Sequence, residues 1–119
     1  LLGCAVAEVE ADRFAAVSRL QQRYGGVVLL KGAGSLICDG QCISLCDEGN
    51  PGMASGGMGD LLSGIIAALL AQGWSAGMAA RLGAVIHAEA ADLAAAEGER
   101  GMLASDLLPW IRRLVNPTP

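Results

Sequence analysis

The chain has 119 residues and a net charge of −4; hydrophobic residues make up 53% of it and aromatic residues only 3%. This length fits one domain, or part of one, with a substantial core, and the low charge and high apolar content exclude a disordered chain. An acidic chain has no surplus of cations for neutralising nucleic-acid phosphates, so we expect no nucleic-acid partner. The longest apolar stretch, 61–70, is shorter than the roughly 18 residues of a membrane span, so we expect no membrane insertion.

The cysteine pattern favours reduced, structural thiols. The four cysteines form no CxxC pair, and the chain has a single histidine. A zinc site would need an unusual ligand set, so we predict no protein-ligated metal and a cytoplasmic location. The chain opens at Leu1 without a basic and apolar leader, which indicates an excerpt of a longer protein.

The first half of the chain predicts a helix, a strand and a hairpin. Apolar residues recur at helical spacing over 12–24, a helix that Gly25 and Gly26 end; its apolar positions are Phe14, Val17, Leu20 and Tyr24. The continuous apolar run 27–30 is typical of a strand buried on both faces of a parallel sheet. Short strands over 35–38 and 42–45 flank Asp39-Gly40, a dipeptide that favours hairpin turns.

The second half predicts a glycine-rich loop over 49–59 followed by three helices. The first helix, from about 60 to 72, carries a wide apolar surface and is expected to be buried. Ser75 is the predicted N-cap of a helix that runs to about 96, and Ser105 that of a last helix carrying Leu108, Ile111 and Leu114. The order indicates an α/β fold, with the remaining strands expected before Leu1.

The loop 49–60 is the most informative segment. Five glycines and a proline in these 12 residues lead directly into a helix. Glycines permit close approach of a ligand, and the free N–H groups of a helix's first turn bind oxyanions. The loop lacks the Gly-Lys-Ser/Thr ending of a Walker A loop, and Leu62 stands where a dinucleotide fingerprint needs glycine or alanine. The alternative is a plain connector in which Asp60 merely favours the helix start.

Lys31 is the only lysine, and it directly follows the predicted strand, where α/β sheets bind ligands. The alternative is a solvated lysine at a strand end.

His87 lies on an apolar helix near Glu89 and Asp92, a setting more typical of a packed histidine than of a catalyst. Asp47 and Glu48 precede the loop; solvated acids are expected there, with water-mediated magnesium binding as the alternative.

Four segments resemble one family. The segments that together resemble the signature of the ADP/ATP-dependent NAD(P)H-hydrate dehydratases, in the ribokinase-like superfamily, are the loop 49–60 with its continuation 62–70, the run 28–34, the stretch 6–13 and the segment 103–107. The resemblance covers nearly the whole chain. It implies a Rossmann-like three-layer αβα fold, of which 1–119 form the carboxyl-terminal part of one domain. It also implies repair of hydrated NADH or NADPH, in which ADP or ATP with Mg²⁺ phosphorylates the ring hydroxyl and phosphate then leaves.

The resemblance also implies a role for each site residue. Asp60 would orient or deprotonate the attacking hydroxyl and contact the hydrated cofactor. The loop residues Gly57, Met58 and Gly59 would offer N–H groups to the transferring phosphoryl group. Asn50 would help to position magnesium or phosphate. The adenine nucleotide would be bound by Lys31, Gly32, Ala33, Gly34, Ser35 and Gly59.

Two positions depart from the family pattern: Ser35 replaces a usual threonine and Ala88 a usual glycine. The family's Pro-His-Pro-Gly-Glu segment is expected just before Leu1, so the 119-residue piece alone is not expected to turn over. The alternatives are a vitamin-precursor kinase of the same superfamily and a non-catalytic nucleotide-binding module. The sequence leaves open the donor (ADP is favoured over ATP), a fused upstream epimerase domain and assembly into a homo-oligomer.

Overall fold

The computed structural model describes residues 1–116. Three short strands in this part form one sheet in the order β1-β2-β3: β1 (Val28–Leu30), β2 (Ser35–Cys38) and β3 (Ile43–Cys46). The helices are α1 (Val6–Ala11), α2 (Arg13–Tyr24), α3 (Met58–Ala71), α4 (Ala76–Ala95) and α5 (Leu108–Leu114). Short 3-10 helices, Pro51–Met53 and Ala104–Leu107, precede α3 and α5.

Helices cover both faces of the sheet, which confirms the predicted layered α/β fold. On one face Val28 and Leu30 pack with Val17 of α2, and on the other Val27 and Leu29 pack against the alanines of α4. This arrangement explains the uninterrupted apolar run over 27–30, because each successive side chain meets a helix.

The parallel partner expected for this strand is not among the described residues, so that expectation stays a prediction. β1 pairs antiparallel with β2, as in Leu29 opposite Ile37, and its residues are only half-buried. The connection between them, 31–34, is too short for the crossover that a parallel pair requires. Both pairings in the sheet are therefore hairpins.

The predicted hairpin between β2 and β3 is confirmed, with β3 one residue later than expected. Asp39 builds the turn, because its Oδ1 accepts from the backbone N–H groups of Gln41 and Cys42, both at 2.9 Å, and Gly40 adopts φ 90°. Arg81 of α4 forms an ion pair with Asp39, which holds the pKa of that carboxyl well below its ordinary value. The ion pair thus links the β2–β3 hairpin to α4, the helix that covers it.

Helix α2 begins where the sequence indicates, but its buried face differs from the prediction. Asp12 is its N-cap, accepting from the N–H of Ala15 at 2.9 Å. Val17 and Leu20 are buried as expected, whereas Phe14 and Tyr24 are exposed by 53% and 54%. The short helix α1, which the sequence analysis did not predict, precedes α2.

Helix α3 begins at Met58, two residues earlier than predicted, after Gly57 in the left-handed region (φ 87°). The expectation of full burial is wrong within residues 1–116: Met58, Leu62 and Leu69 are buried, but Leu70 is 45% exposed. The contact with α4 uses one stripe of the helix, so only that stripe is covered.

Helix α4 is the centre of the described chain, and its N-cap Ser75 is confirmed by a bond from the N–H of Met78 to Oγ at 3.4 Å. Ten of its residues are buried. Its glycine at 83 permits close packing on α3, since an added Cβ would lie 2.7 Å from Ile66 Cγ1. Small side chains therefore let α3 and α4 approach closely, as the low aromatic content requires.

The cap predicted at Ser105 is wrong. The chain forms a 3-10 turn there instead, and Asp106 Oδ2 accepts from the N–H of Leu103 at 2.8 Å. All four cysteines are free thiols, as predicted. Over residues 1–116, the structure contains no helix whose length and apolar character would let it cross a membrane.

Candidate functional site

A cavity of about 620 Å³ lies between the β1–β2 connection and the loop that leads into α3. Both segments singled out by the sequence analysis line it. Its walls are formed by Lys31, Gly32, Ala33, Gly34, Ser35, Cys46, Asp47, Glu48, Gly49, Asn50, Pro51, Met53, Ala54, Met58, Leu62, Ala84, His87 and Ala88. A space of this size fits a small-molecule ligand.

The five residues 31–35 form one side of the cavity, and Arg13 supports them from outside it. Arg13 Nη1 donates to the carbonyl oxygens of Ala33 (2.7 Å) and Gly34 (2.8 Å), and Nη2 donates to that of Leu30 (3.2 Å). An added Cβ at Gly32 would lie 2.6 Å from Arg13 Nη2. The loop is thus wrapped closely around a guanidinium group.

Lys31 reaches from this loop to the start of α3. An added Cβ at Gly59 would lie 3.1 Å from Lys31 Nζ, so glycine at this position lets the ammonium group lie against the first turn of the helix. The N–H groups of that turn have no partner within the helix and carry its positive dipole end. The structure therefore brings Lys31 together with Gly59, two residues predicted to bind nucleotide.

Asp60 is the next residue of the same turn, and its side chain is exposed. It stands beside the cavity and is not among the residues that line it. Gly57 and Gly59 also adjoin the lining through Met58, which is buried. Asp60 is therefore a solvent-exposed carboxylate in the first turn of α3, one residue after Gly59.

Asp92 of α4 binds the start of the glycine-rich loop 49–59. Its Oδ2 accepts from the N–H of Gly49 at 3.0 Å, and its Oδ1 accepts from Asn50 Nδ2 at 2.8 Å. Asn50 in turn accepts, through Oδ1, from the N–H of Gly52 at 3.1 Å. Asn50 thus uses both ends of its amide to shape the loop.

His87 lies in the cavity wall and is 3% exposed. Burial lowers its pKa, and the nearby positive charge of Lys31 lowers it further, while a hydrogen bond with the Met58 backbone acts in the opposite direction. Its Nε2 is buried without a hydrogen-bond partner in the part of the chain that the structure describes. The imidazole is therefore a neutral group in the wall of the cavity.

The remaining ionisable side chains of the cavity lining are two acids and one thiol. Asp47 and Glu48 are exposed at its rim, as expected for solvated acids. Burial raises the pKa of the Cys46 thiol, which keeps it protonated and unreactive. Ala88 lines the cavity, and its Cβ would lie 3.7 Å from a Cβ added at Gly49, an ordinary contact distance.

Sequence reasoning missed two residues of the site, Arg13 and Asp92. Arg13 ends the stretch 6–13 and Asp92 stands near His87, but nothing local to either residue indicates a contact with a loop 17 to 43 positions away. The available signal was their residue type: an arginine directly after a helix cap, and an acid on an otherwise apolar, alanine-rich helix. Neither signal identifies the partner.

Comparison with known proteins gives one consistent result. The family model for NAD(P)H-hydrate dehydratase matches residues 1–113. The bifunctional NAD(P)H-hydrate repair enzyme Nnr of Vibrio cholerae is 64% identical over 117 residues, which cover 98% of this chain and 24% of that protein. The ADP-dependent (S)-NAD(P)H-hydrate dehydratase of Neisseria meningitidis is 43% identical over 98% of this chain and 40% of its own length.

A solved structure agrees with the sequence matches. The ADP/ATP-dependent NAD(P)H-hydrate dehydratase of Bacillus subtilis, co-crystallised with ATP and Mg²⁺, superposes with a TM-score of 0.88 at 26% identity. The match covers 94% of this chain and 41% of the other. The chain therefore spans about a quarter to two fifths of the length of the proteins that it matches.

Proposed function

Because the chain belongs to the NAD(P)H-hydrate dehydratase family, we propose that it supplies the nucleotide site and the phosphoryl-transfer loop of an enzyme that regenerates NADH and NADPH from their hydrated forms. The chain covers 24% of the Vibrio relative, so the activity belongs to the longer protein. The observation that carries the proposal is the placement of Lys31 against the first turn of α3.

This placement supports a phosphate site. Lys31 offers a compact positive charge, and the helix start offers N–H groups and the positive end of its dipole. The adenine nucleotide is proposed to lie along residues 31–35, with its phosphates between Lys31 and Gly59. Ser35, where the family usually has threonine, keeps a hydroxyl group at this position.

The chemistry follows from the poor leaving ability of hydroxide. The ring hydroxyl of the hydrated cofactor attacks the terminal phosphorus of the nucleotide, the bond to the bridging oxygen breaks, and a phosphate ester forms. Phosphate then leaves as a proton is lost from the neighbouring ring carbon, and the electrons of that C–H bond restore the ring double bond. Asp60 is proposed to orient the hydroxyl and accept its proton, and the N–H groups of 57–59 to stabilise the charge on the transferring group.

The donor set agrees with magnesium held mainly by the nucleotide. No group of three or more acidic, histidine or cysteine residues suited to a metal occurs within residues 1–116. Mg²⁺ commonly keeps several waters and binds through substrate phosphates with one or two carboxylates. Asp47 and Glu48, at the rim of the cavity, are the acids placed to accept bonds from such waters.

Two further features extend the proposal to the whole protein. The Vibrio relative is named a bifunctional repair enzyme, which supports a second, epimerase activity in the longer protein. Four free thiols favour action in the reducing cytoplasm. Assembly into a homo-oligomer stays a prediction.

The test uses the intact protein with hydrated NADH, Mg²⁺ and either ADP or ATP. Recovery of NADH absorbance with one nucleotide, lost in Asp60→Asn and kept in the exposed control Glu89→Gln, supports the proposal and identifies the donor. Accumulation of a stable phosphorylated substrate without NADH would show a kinase instead. Nucleotide binding without any turnover of hydrated cofactor would favour a non-catalytic module.

A further inference from the structure

Arg13 stands apart from every residue to which the sequence or the proposed reaction gives a role. It lies at the first position of α2 and is not part of the cavity lining. Its guanidinium group nevertheless contacts the loop that forms one wall of the cavity, through the carbonyl oxygens of Leu30, Ala33 and Gly34.

These three bonds determine which way the loop's peptide groups point. Peptide bonds among residues 1–116 are all trans, and a trans peptide directs its N–H opposite to its C=O. With the carbonyl oxygens of Leu30, Ala33 and Gly34 on Arg13, the N–H groups of the following residues point away from it. The carbonyl oxygens, which would repel a phosphate, are thereby bonded to a group that is not part of the cavity lining.

The charge of Arg13 is also not neutralised. Among residues 1–116, the only ion pair joins Arg81 to Asp39, so no carboxylate in that range pairs with Arg13. Its Nε is buried and has no hydrogen-bond partner there. A full positive charge therefore lies directly behind the loop, in addition to that of Lys31, and both favour an anionic ligand.

We propose that Arg13 is a positioning residue for the nucleotide: its guanidinium fork orients the loop 31–35 so that N–H groups and positive charge face the phosphates. The proposal rests on the proposed function, in which this loop binds ADP or ATP. Lysine at position 13 would retain the charge but could not donate in the fork that bridges three carbonyl oxygens.

The test compares Arg13→Ala and Arg13→Lys with Arg19→Ala, an exposed arginine on the same helix, in the intact protein. Equilibrium titration with ADP and ATP is expected to show a Kd raised about tenfold in Arg13→Ala and about threefold or more in Arg13→Lys, with Arg19→Ala unchanged. Circular dichroism confirms that each variant is folded. Should Arg13→Ala fail to fold, Arg13→Lys decides alone.

Steady-state kinetics separates positioning from general support of the fold. Positioning raises KM for the nucleotide and leaves kcat at saturating nucleotide and KM for the hydrated cofactor nearly unchanged. A lower kcat with an unchanged nucleotide KM would overturn the proposal, as would wild-type Kd values in both Arg13 variants. If the wild-type protein itself binds neither ADP nor ATP, the proposed function fails, and the proposal for Arg13 fails with it.

Discussion

Replacement of Gly59 by alanine is predicted to stabilise the fold and weaken nucleotide binding at the same time. Gly59 lies in the first turn of α3. Alanine is favoured over glycine by about 0.5–1 kcal/mol inside a helix, and by less near its end. The free energy of unfolding is therefore expected to rise by up to about 0.5 kcal/mol.

Nucleotide affinity is expected to fall because position 59 contacts Lys31. The new Cβ would lie 3.1 Å from Lys31 Nζ, closer than ordinary van der Waals separation, so the flexible lysine must retreat by a few tenths of an ångström. Weakening one charge-assisted bond to phosphate by about 1–1.4 kcal/mol raises Kd roughly five- to tenfold. Calorimetric titration of the intact protein with ADP and ATP measures this change directly.

Gly64→Ala is the matched control on the same helix. An added Cβ at Gly64 meets nothing within 4 Å, so only the helix preference changes. This variant is expected to stabilise the protein by about 0.5–1 kcal/mol in urea unfolding and to leave Kd unchanged. Wild-type affinity in Gly59→Ala would refute the placement of Lys31 at the phosphates, and an equal loss in Gly64→Ala would assign the effect to the helix instead.

Three further predictions concern single side chains. Asp60→Asn is expected to abolish turnover while changing the Kd of ADP by less than about threefold, since it alters chemistry and not nucleotide contacts; loss of ADP binding in a direct titration would assign Asp60 a structural or metal-binding role. Asp92→Ala releases the loop entrance and is expected to cost about 1–3 kcal/mol in urea unfolding, whereas exposed Glu89→Ala is nearly neutral; equal values would contradict the role of the two bonds to Asp92. Because the pKa of His87 is lowered from 6.5 in the folded protein, the unfolded state binds the extra proton, so His87 contributes stability above that pH that is lost as pH falls below it. As the pH is lowered from about 8 to about 5, the urea midpoint is expected to fall more steeply in wild type than in His87→Gln. Parallel curves would show that His87 does not titrate in this way.

Local signals in the sequence predicted local structure well. Asp39-Gly40 predicted its turn because the Asp side chain bonds to N–H groups two and three residues ahead. Ser75 predicted a helix start for the same reason. Ser105 carries the same kind of signal but lies inside a 3-10 turn. There the carboxylate of Asp106 accepts the capping bond, from the N–H of Leu103.

Features that depend on distant contacts were not predictable in this way. Phe14 fits the helical apolar pattern of α2, yet the face that meets the sheet is centred on Val17, and only the packing decides between them. The glycine-rich loop and Lys31 were identified as candidates from composition and position. Their approach to each other, and the supports from Arg13 and Asp92, arise from contacts spanning many residues and needed the structure.

The edge of the sheet has a consequence for ligand affinity. Within residues 1–116, β1 pairs with β2 alone, so its other side presents backbone groups to which a further strand can add. Lys31 directly follows β1. A strand joining this edge would restrict the backbone from which the lysine projects, and nucleotide held by the lysine would restrict the same backbone. By thermodynamic linkage, each event is then expected to favour the other, so nucleotide affinity becomes a measure of how completely the sheet is assembled.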